Sequence, residues 1–301
     1  MKKSAKPRTL HNIKRKAEPY IWLLPSILMM GILILLPIIT VFQTSFSEIS
    51  KAGKNKGFNG VDNYIWIFNN PTFRSTLVNT VVWTIVVVGV STLFGIILGL
   101  VLNEKFVGRK IVRAIVVFPW ATALIIQSVI WKYIINADYG ALNNLLYNLG
   151  IIDSYKNWTA TPQAFFAWEC FVGILVTVPF VTFCVLSGLQ SIDATLYEAA
   201  DVDGANFWNR LFRVTMPLLM PSLTVSTVLN IIYVFNSFPI IYTMTKGAPA
   251  NKTDTLVTFL YMLNFYDRKK GPATALSVIG FLVLCLCSGI YMLGVMRKEE
   301  D

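Results

Sequence analysis

The side chains that could do chemistry in this sequence fall into a few small groups. The only histidine, His11, sits in a basic N-terminal tail with Lys2, Lys3, Lys6, Arg8, Lys14, Arg15 and Lys16. No HExxH motif, Gly-rich phosphate loop or pair of carboxylates inside an apolar stretch is found, so no catalytic residue and no metal ligand set is expected. Cys170, Cys184, Cys285 and Cys287 show no CxxC or Cys/His spacing, and they read as free, buried, small apolar groups without disulfides or zinc. Glu169 is the single clear carboxylate within an apolar stretch, where an ionisable group is costly and generally kept for a reason. It reads either as facing a wet vestibule or the interface beside Trp168, or as a group that binds the hydroxyls of a ligand. Further along lie Asn230, Tyr233, Asn236 and Ser237, and positions 230, 233, 234 and 237 fall on one helical stripe. Polar groups with an aromatic at that spacing suit a sugar, whose hydroxyls take hydrogen bonds and whose C–H face takes a ring. Interhelical hydrogen bonding is the other reading of the same stripe.

The elements that must position these groups are membrane helices. At 55% hydrophobic, 14% charged and a mean hydropathy of +0.59, the chain is too apolar for a water-soluble enzyme. Six stretches approach the ~20 residues that cross ~30 Å of hydrocarbon, at 20–43, 76–102, 114–136, 162–188, 216–245 and 272–296. Val81 to Leu102 and Ala273 to Met296 carry no charge at all. The fold class expected is therefore an all-α membrane protein with six transmembrane helices. Residues 1–19 form a cytoplasmic basic tail, and 20–301 the membrane domain. The first span has no small-x-small cleavage site and reads as a retained anchor.

The net charge of +10 follows from topology. With the N-terminus inside, the tail, the loop with Lys105, Arg109, Lys110 and Arg113, the segment with Arg210 and Arg213, and the end with Arg297 and Lys298 hold 15 of the 26 Lys and Arg residues. That placement follows the positive-inside rule, puts both termini in the cytoplasm and removes the case for nucleic acid. Pro119, Pro179, Pro217, Pro221 and Pro239 each lack a backbone donor, which predicts a water-lined core among spans three to five. Ser91, Gly95 and Gly99 repeat every four residues and predict close packing of span two against another helix.

The inner segment 191–217 is unlike the other loops and holds Asp193, Glu198, Asp201 and Asp203, four of the 16 acids. It reads as a helix capped by Asp193 and running through about Val202, a left-handed exit at Gly204, and a second short helix ending before Pro217. An ordered hairpin there either passes force to a cytoplasmic partner or merely joins two spans.

Glu198-Ala199-Ala200, then Gly204, then Val214-x-Met216-Pro217, resembles the EAA-x3-G-x9-I-x-L-P signature of permease subunits of binding-protein-dependent ABC importers. Val214 replaces Ile and Met216 replaces Leu, both apolar exchanges. The likeness extends to Gly60–Tyr64, Asn79-Thr80, Phe118-Pro119, Trp131-Lys132, Gly188–Ile192 and Thr245–Pro249, and is greatest with the carbohydrate-importing branch. Lys246 and Ala248 depart from that branch's TxGGP pattern.

The resemblance implies a type I ABC importer permease in a bacterial plasma (inner) membrane, itself not an enzyme. Glu198, Ala199, Ala200, Asp203 and Gly204 would form the coupling helix between spans four and five. Asn230, Tyr233 and Ser237, with Thr177 and Phe180 near Pro179, would line a midplane site; Asn236 and Glu169 join the candidate set from the residues alone. The partners implied are a second homologous permease, two cytoplasmic ABC ATPases and an external solute-binding protein, with ATP and Mg bound by the ATPase rather than this chain. A secondary, ion-coupled transporter is the alternative, weakened by the scarcity of buried ionisable groups.

Overall fold

In hydrocarbon every backbone N–H and C=O must be paired internally, so a chain this apolar must build its crossings from helices or a closed barrel. The computed structural model, which describes residues 22–300 and the side chains of 22–295, adopts the helical solution. The expected basic tail with His11, and the side chains of Arg297 and Lys298, lie outside the described residues. In chain order the elements are α1 (Trp22–Ser45), the strands β1 (Ser47–Ile49) and β2 (Asn55–Phe58), α2 (Asp62–Asn69), α3 (Pro71–Asn103), α4 (Arg109–Ala121), α5 (Leu124–Ile134), α6 (Ala141–Asn148), α7 (Pro162–Ser191), α8 (Ala194–Val202), α9 (Phe207–Arg210), α10 (Met216–Phe235), α11 (Phe238–Met244), α12 (Leu256–Tyr261) and α13 (Lys270–Glu300).

Five helices are long and apolar enough to cross a bilayer: α1, α3, α7, the rod Phe207–Met244 and Lys270–Val295 of α13. The sixth expected span is not straight. Its halves, α4 and α5, meet at 98°. Pro119 has no N–H to give, and Thr122 and Ala123 take extended backbone between the two helices. The Thr122 hydroxyl donates to the Pro119 carbonyl at 3.0 Å and accepts from the buried Gln127 amide, so polar groups freed at the bend are met internally.

The centre of the bundle is α3 packed along α7. Small residues permit the approach, as their spacing predicts. A methyl placed on Gly95 would lie 2.5 Å from Val181 Cγ1, and one on Gly99 2.5 Å from Val185 Cγ1. Gly173 of α7 leaves room for the Trp83 ring, whose indole N–H donates to the Val234 carbonyl at 2.8 Å and joins α3 to α10. By contrast α1 presents no buried residue in its apolar window and touches the bundle mainly through α13, where Phe42 meets Phe281 edge to face.

The hairpin β1–β2 and the helices α2, α6 and α12 have no counterpart in the sequence reading. The strands pair antiparallel, Ser47 with Phe58 and Ile49 with Asn55, and β2 is fully exposed. They are held by Asn63, whose buried amide donates to the carbonyls of Ser45 and Ser47 at 2.9 Å each, and by a 2.7 Å bond between Ser45 Oγ and Tyr64 Oη. The Gly60–Tyr64 stretch thus fastens the end of the first span.

Candidate functional site

Two contiguous cavities, of about 330 and 650 Å³, open between α4, α7 and α10. The smaller is lined by Trp120, Val176, Thr177, Phe180, Leu229, Asn230 and Tyr233; Trp120, Phe180 and Leu229 also line the larger, which continues along Cys184, Ser187 and Pro221. The prolines account for the position. Trp120 follows Pro119, Phe180 follows Pro179, and Pro221 forms part of the wall, so each break in regular bonding lies at or beside the space. Thr177, Phe180, Asn230 and Tyr233 are brought together as expected.

The other sequence-based candidates lie elsewhere. Asn236 is exposed at the break between α10 and α11, donates its amide to the Ile232 carbonyl at 2.8 Å, and faces a separate cavity against α13. Ser237 is buried at the same break with no hydrogen-bond partner for its hydroxyl. Val234, on the expected stripe, points into the core. Glu169 is fully buried away from the cavity and accepts a 2.7 Å bond from Thr245 Oγ1. Of the four cysteines, all free, Cys170 alone is buried; Cys285 lies exposed on α13, which corrects the expectation that all are interior groups.

Trp120 is the lining residue missing from the sequence reading. It stands directly after the Phe118-Pro119 pair, and the signal was an aromatic next to a helix break. Its half-exposed ring lines the cavity with Phe180 and Leu229, which the fold brings there from α7 and α10.

At the far end of α7 the chain makes the expected hairpin. Asp193 caps α8 by accepting from the Thr195 N–H at 3.0 Å, and that bond holds its carboxyl below the usual carboxylate range. After Val202 the chain passes Asp203 and exits through Gly204 at φ +75, closed by Ala205 N–H donating to the Ala200 carbonyl at 2.9 Å. Glu198, Ala199, Asp203 and Gly204 are exposed and Ala200 is buried. Beside them Val202, Phe207, Trp208 and Phe212 are exposed too, with Trp208 stacked on Phe212. Asp201 and Arg210 pair at 3.2 Å across the hairpin, and Arg210 lies 5.9 Å from the centre of the Tyr197 ring. Asn103 and Glu104 share a cavity with Tyr197 and Arg210, which puts the end of α3, next to the basic loop, at the same end of the bundle.

The second arm of the hairpin differs from expectation. It does not stop before Pro217 but runs on from α9 through a π-helical turn, Leu211–Thr215, into α10. The turn donates Met216 N–H to the Leu211 carbonyl and Thr215 Oγ1 to the Arg210 carbonyl at 3.2 Å, widening the helix just ahead of a proline that has no N–H to contribute. From Phe207 to Asn230 the rod spans about 35 Å at helix rise.

Three comparisons bear on these features. Residues 91–298 match the family model described as "Binding-protein-dependent transport system inner membrane component". The chain is 40% identical, over 96% of its length and all of the relative's, to a "Probable ABC transporter permease protein" of Brucella suis biovar 1, and 35% identical, over 94% of each, to the "Trehalose/maltose transport system permease protein MalF" of Thermococcus litoralis. Its fold superposes with a TM-score of 0.80 and 24% identity, covering 95% of this chain and 96% of the other, on a chain from the crystal structure of a bacterial alginate ABC transporter in complex with alginate pentasaccharide-bound periplasmic protein.

Proposed function

Since the chain belongs to the family of binding-protein-dependent transport system inner membrane components, as a multi-pass permease subunit of an ABC importer, we propose that it forms half of a carbohydrate translocation pathway. In this reading Thr177, Phe180, Asn230, Tyr233 and Trp120 contact the sugar, and the exposed face of α8 receives a cytoplasmic ATPase. A second homologous permease completes the pathway, an external solute-binding protein delivers the sugar, and ATP with Mg is bound and hydrolysed by two partner ATPases. Both termini lie in the cytoplasm, with the hairpin and the basic loop after α3 at that face.

The observation that carries the reading is the rod from Phe207 to Asn230. Its start is half of the hairpin, and its far end, with Leu229, Asn230 and Tyr233, is one wall of the cavity. A displacement of the hairpin therefore acts on the cavity without an intervening flexible joint. The exposed Val202, Phe207, Trp208 and Phe212 supply apolar area for a docked subunit. The lining suits a sugar in kind, with aromatic faces at Trp120, Phe180 and Tyr233 and hydroxyl or amide groups at Thr177 and Asn230. The trehalose and maltose named for the Thermococcus relative, and the saccharide-bound partner of the alginate transporter, support the carbohydrate class and the external binding protein.

The test is Gly204→Leu in the reconstituted complex. A side chain at φ +75 is strained and adds bulk at the docking face, so ATP hydrolysis is expected to continue while binding-protein-dependent uptake is lost. Unchanged uptake, or uptake abolished by an ionophore at constant ATP, overturns the proposal.

A further inference from the structure

At the end of α7 opposite the hairpin, acidic and hydroxyl groups from three parts of the chain meet out of contact with solvent. Glu169 of α7 is 0% exposed, as are Thr253 and Asp254 in the loop that precedes α12. Thr245, just after α11, links them: its hydroxyl donates to Glu169 Oε1 at 2.7 Å and accepts from Thr253 Oγ1 at 2.8 Å and from Gly247 N–H at 3.1 Å. The Asp254 carboxylate lies against Gly247, whose φ of +78 and missing side chain leave it room. From α3, the Asn79 amide holds the backbone of this loop through the carbonyls of Lys252, at 2.8 Å, and Asp254, at 3.0 Å.

Three carboxylate oxygens in this cluster, Glu169 Oε2 and both of Asp254, receive no hydrogen bond. The neighbouring Thr258 hydroxyl donates to the Thr255 carbonyl at 3.1 Å and lies close enough to the Asp254 carboxyl to favour its charged form in part. No basic side chain among the described residues pairs with either acid. The ion pairs among the described residues, Lys56 with Glu48 and Arg210 with Asp201, are elsewhere, and Lys246 and Lys252 on the same loop are exposed. Burial raises the Asp254 carboxyl above the usual carboxylate range. Buried carboxylates are normally paired or ligate a cation. Here the Thr253 hydroxyl oxygen and the Ala248 carbonyl, which lie 3.2 Å apart, offer further oxygen lone pairs close at hand.

We infer that Glu169 and Asp254, with the oxygens of Thr253 and Ala248, form a binding site for a calcium-type divalent cation that ties the loop after α11 to α7, with Thr245 positioning Glu169. The donor set is all oxygen, which suits a hard ion and not the nitrogen- and sulfur-seeking transition metals. Two carboxylates match a divalent charge, whereas sodium would leave one charge unbalanced. Calcium accepts irregular shells of 6–8 oxygens, while magnesium demands a smaller octahedron and retains its waters. No metal ligands are expected from the sequence because it has no Cys/His spacing and no paired carboxylates within a span; Glu169 and Asp254 stand far apart in the chain, and only the fold joins them.

The test uses the purified full-length chain in detergent, stripped with a chelator and titrated with calcium chloride. Equilibrium dialysis is expected to find one calcium per chain, and about 1 mM calcium to raise the melting temperature by at least about 3 °C. Magnesium chloride should give a smaller rise, and sodium chloride at matched ionic strength none. Asp254→Asn and Glu169→Gln should each abolish the calcium-dependent rise. In chelator, by contrast, either change removes an uncompensated buried charge and should leave the melting temperature equal to or above that of the unmodified chain. Absence of calcium binding by the unmodified chain overturns the inference, and this measurement needs no variant to fold. Calcium binding retained in both variants, or an equal rise with sodium, overturns it as well.

Discussion

Asn230 of α10, a residue lining the smaller cavity, donates its amide to Ser91 Oγ of α3 at 2.9 Å, while its own carbonyl oxygen is buried and meets no donor. The N–H end is engaged in packing; under the proposed function the unpaired acceptor end is the group left to meet a ligand hydroxyl.

Separating the two ends is the first prediction. Ser91→Ala removes the interhelical bond but keeps the Asn230 carbonyl, so uptake in reconstituted vesicles should persist. Asn230→Ala removes both and should abolish uptake. In unfolding measurements the pair should show a coupling energy of about 0.6 kcal/mol, the average for hydrogen bonds between membrane helices, and no more than about 1.7 kcal/mol. Equal loss of uptake in both variants would mean that the residue serves packing alone.

Tyr233 and Trp120 carry the aromatic side of the cavity without structural duties of that kind. Each is about half exposed, at 46% and 52%, and neither makes a hydrogen bond among the described residues. Tyr233→Ala or Trp120→Ala should change stability by no more than about 0.5 kcal/mol, as for surface positions. Loss of a ring contact worth about 1.4 kcal/mol would raise the KM for uptake about tenfold. A collapse of stability with either change would reassign that ring to packing.

Close approach of α3 to α7 gives a contrast within one helix. Gly95→Leu forces a side chain into Val181 and the backbone at Thr182, whereas nothing lies within 4 Å of the position a side chain would take at Gly89. Gly95→Leu should reduce recovery of folded protein severely, with partial rescue by Val181→Ala, while Gly89→Leu should be recovered normally. Size-exclusion profiles in detergent read both. Similar recovery of the two glycine variants would contradict the α3–α7 packing.

Period and composition made much of this fold legible. Apolar stretches of bilayer length located the spans, and four-residue spacing revealed the face of α3 that meets α7. Asp193, Val202 and Gly204 announced the start, end and exit of α8 because caps act locally. What stayed hidden depends on direction in space. Pro119 signalled a break but not a 98° turn, since the turn is fixed by Thr122 and Gln127 after the chain has bent. Pro217 looked like a stop for the preceding helix, yet the π turn before it absorbs the missing N–H and lets the rod continue. Glu169 could not be assigned from its neighbours in sequence because its partner, Thr245, is 76 residues away.

The cap at Asp193 gives the last prediction, with a defined pH sign. The bond from Thr195 N–H lowers the carboxyl pKa in the folded state, so the charged cap stabilises α8 above the unfolded aspartate value of about 3.9. That stabilisation is lost as pH falls through the lowered folded value, and it is fully present at neutral pH. Asp193→Ala should therefore speed amide hydrogen exchange at Thr195 and through the first turn of α8 at neutral pH. The difference from the unmodified chain should vanish in acid. Asp193→Asn, which keeps an oxygen acceptor without the charge, should lie between the two. Because α8 presents Glu198 and Ala199 on its exposed face, the same series should reduce ATPase stimulation by the loaded binding protein in the order Ala, then Asn. Exchange rates in α8 that do not respond to Asp193→Ala at neutral pH would show that the hairpin is held by its second arm alone, through Asp201 with Arg210 and Tyr197 with Thr215.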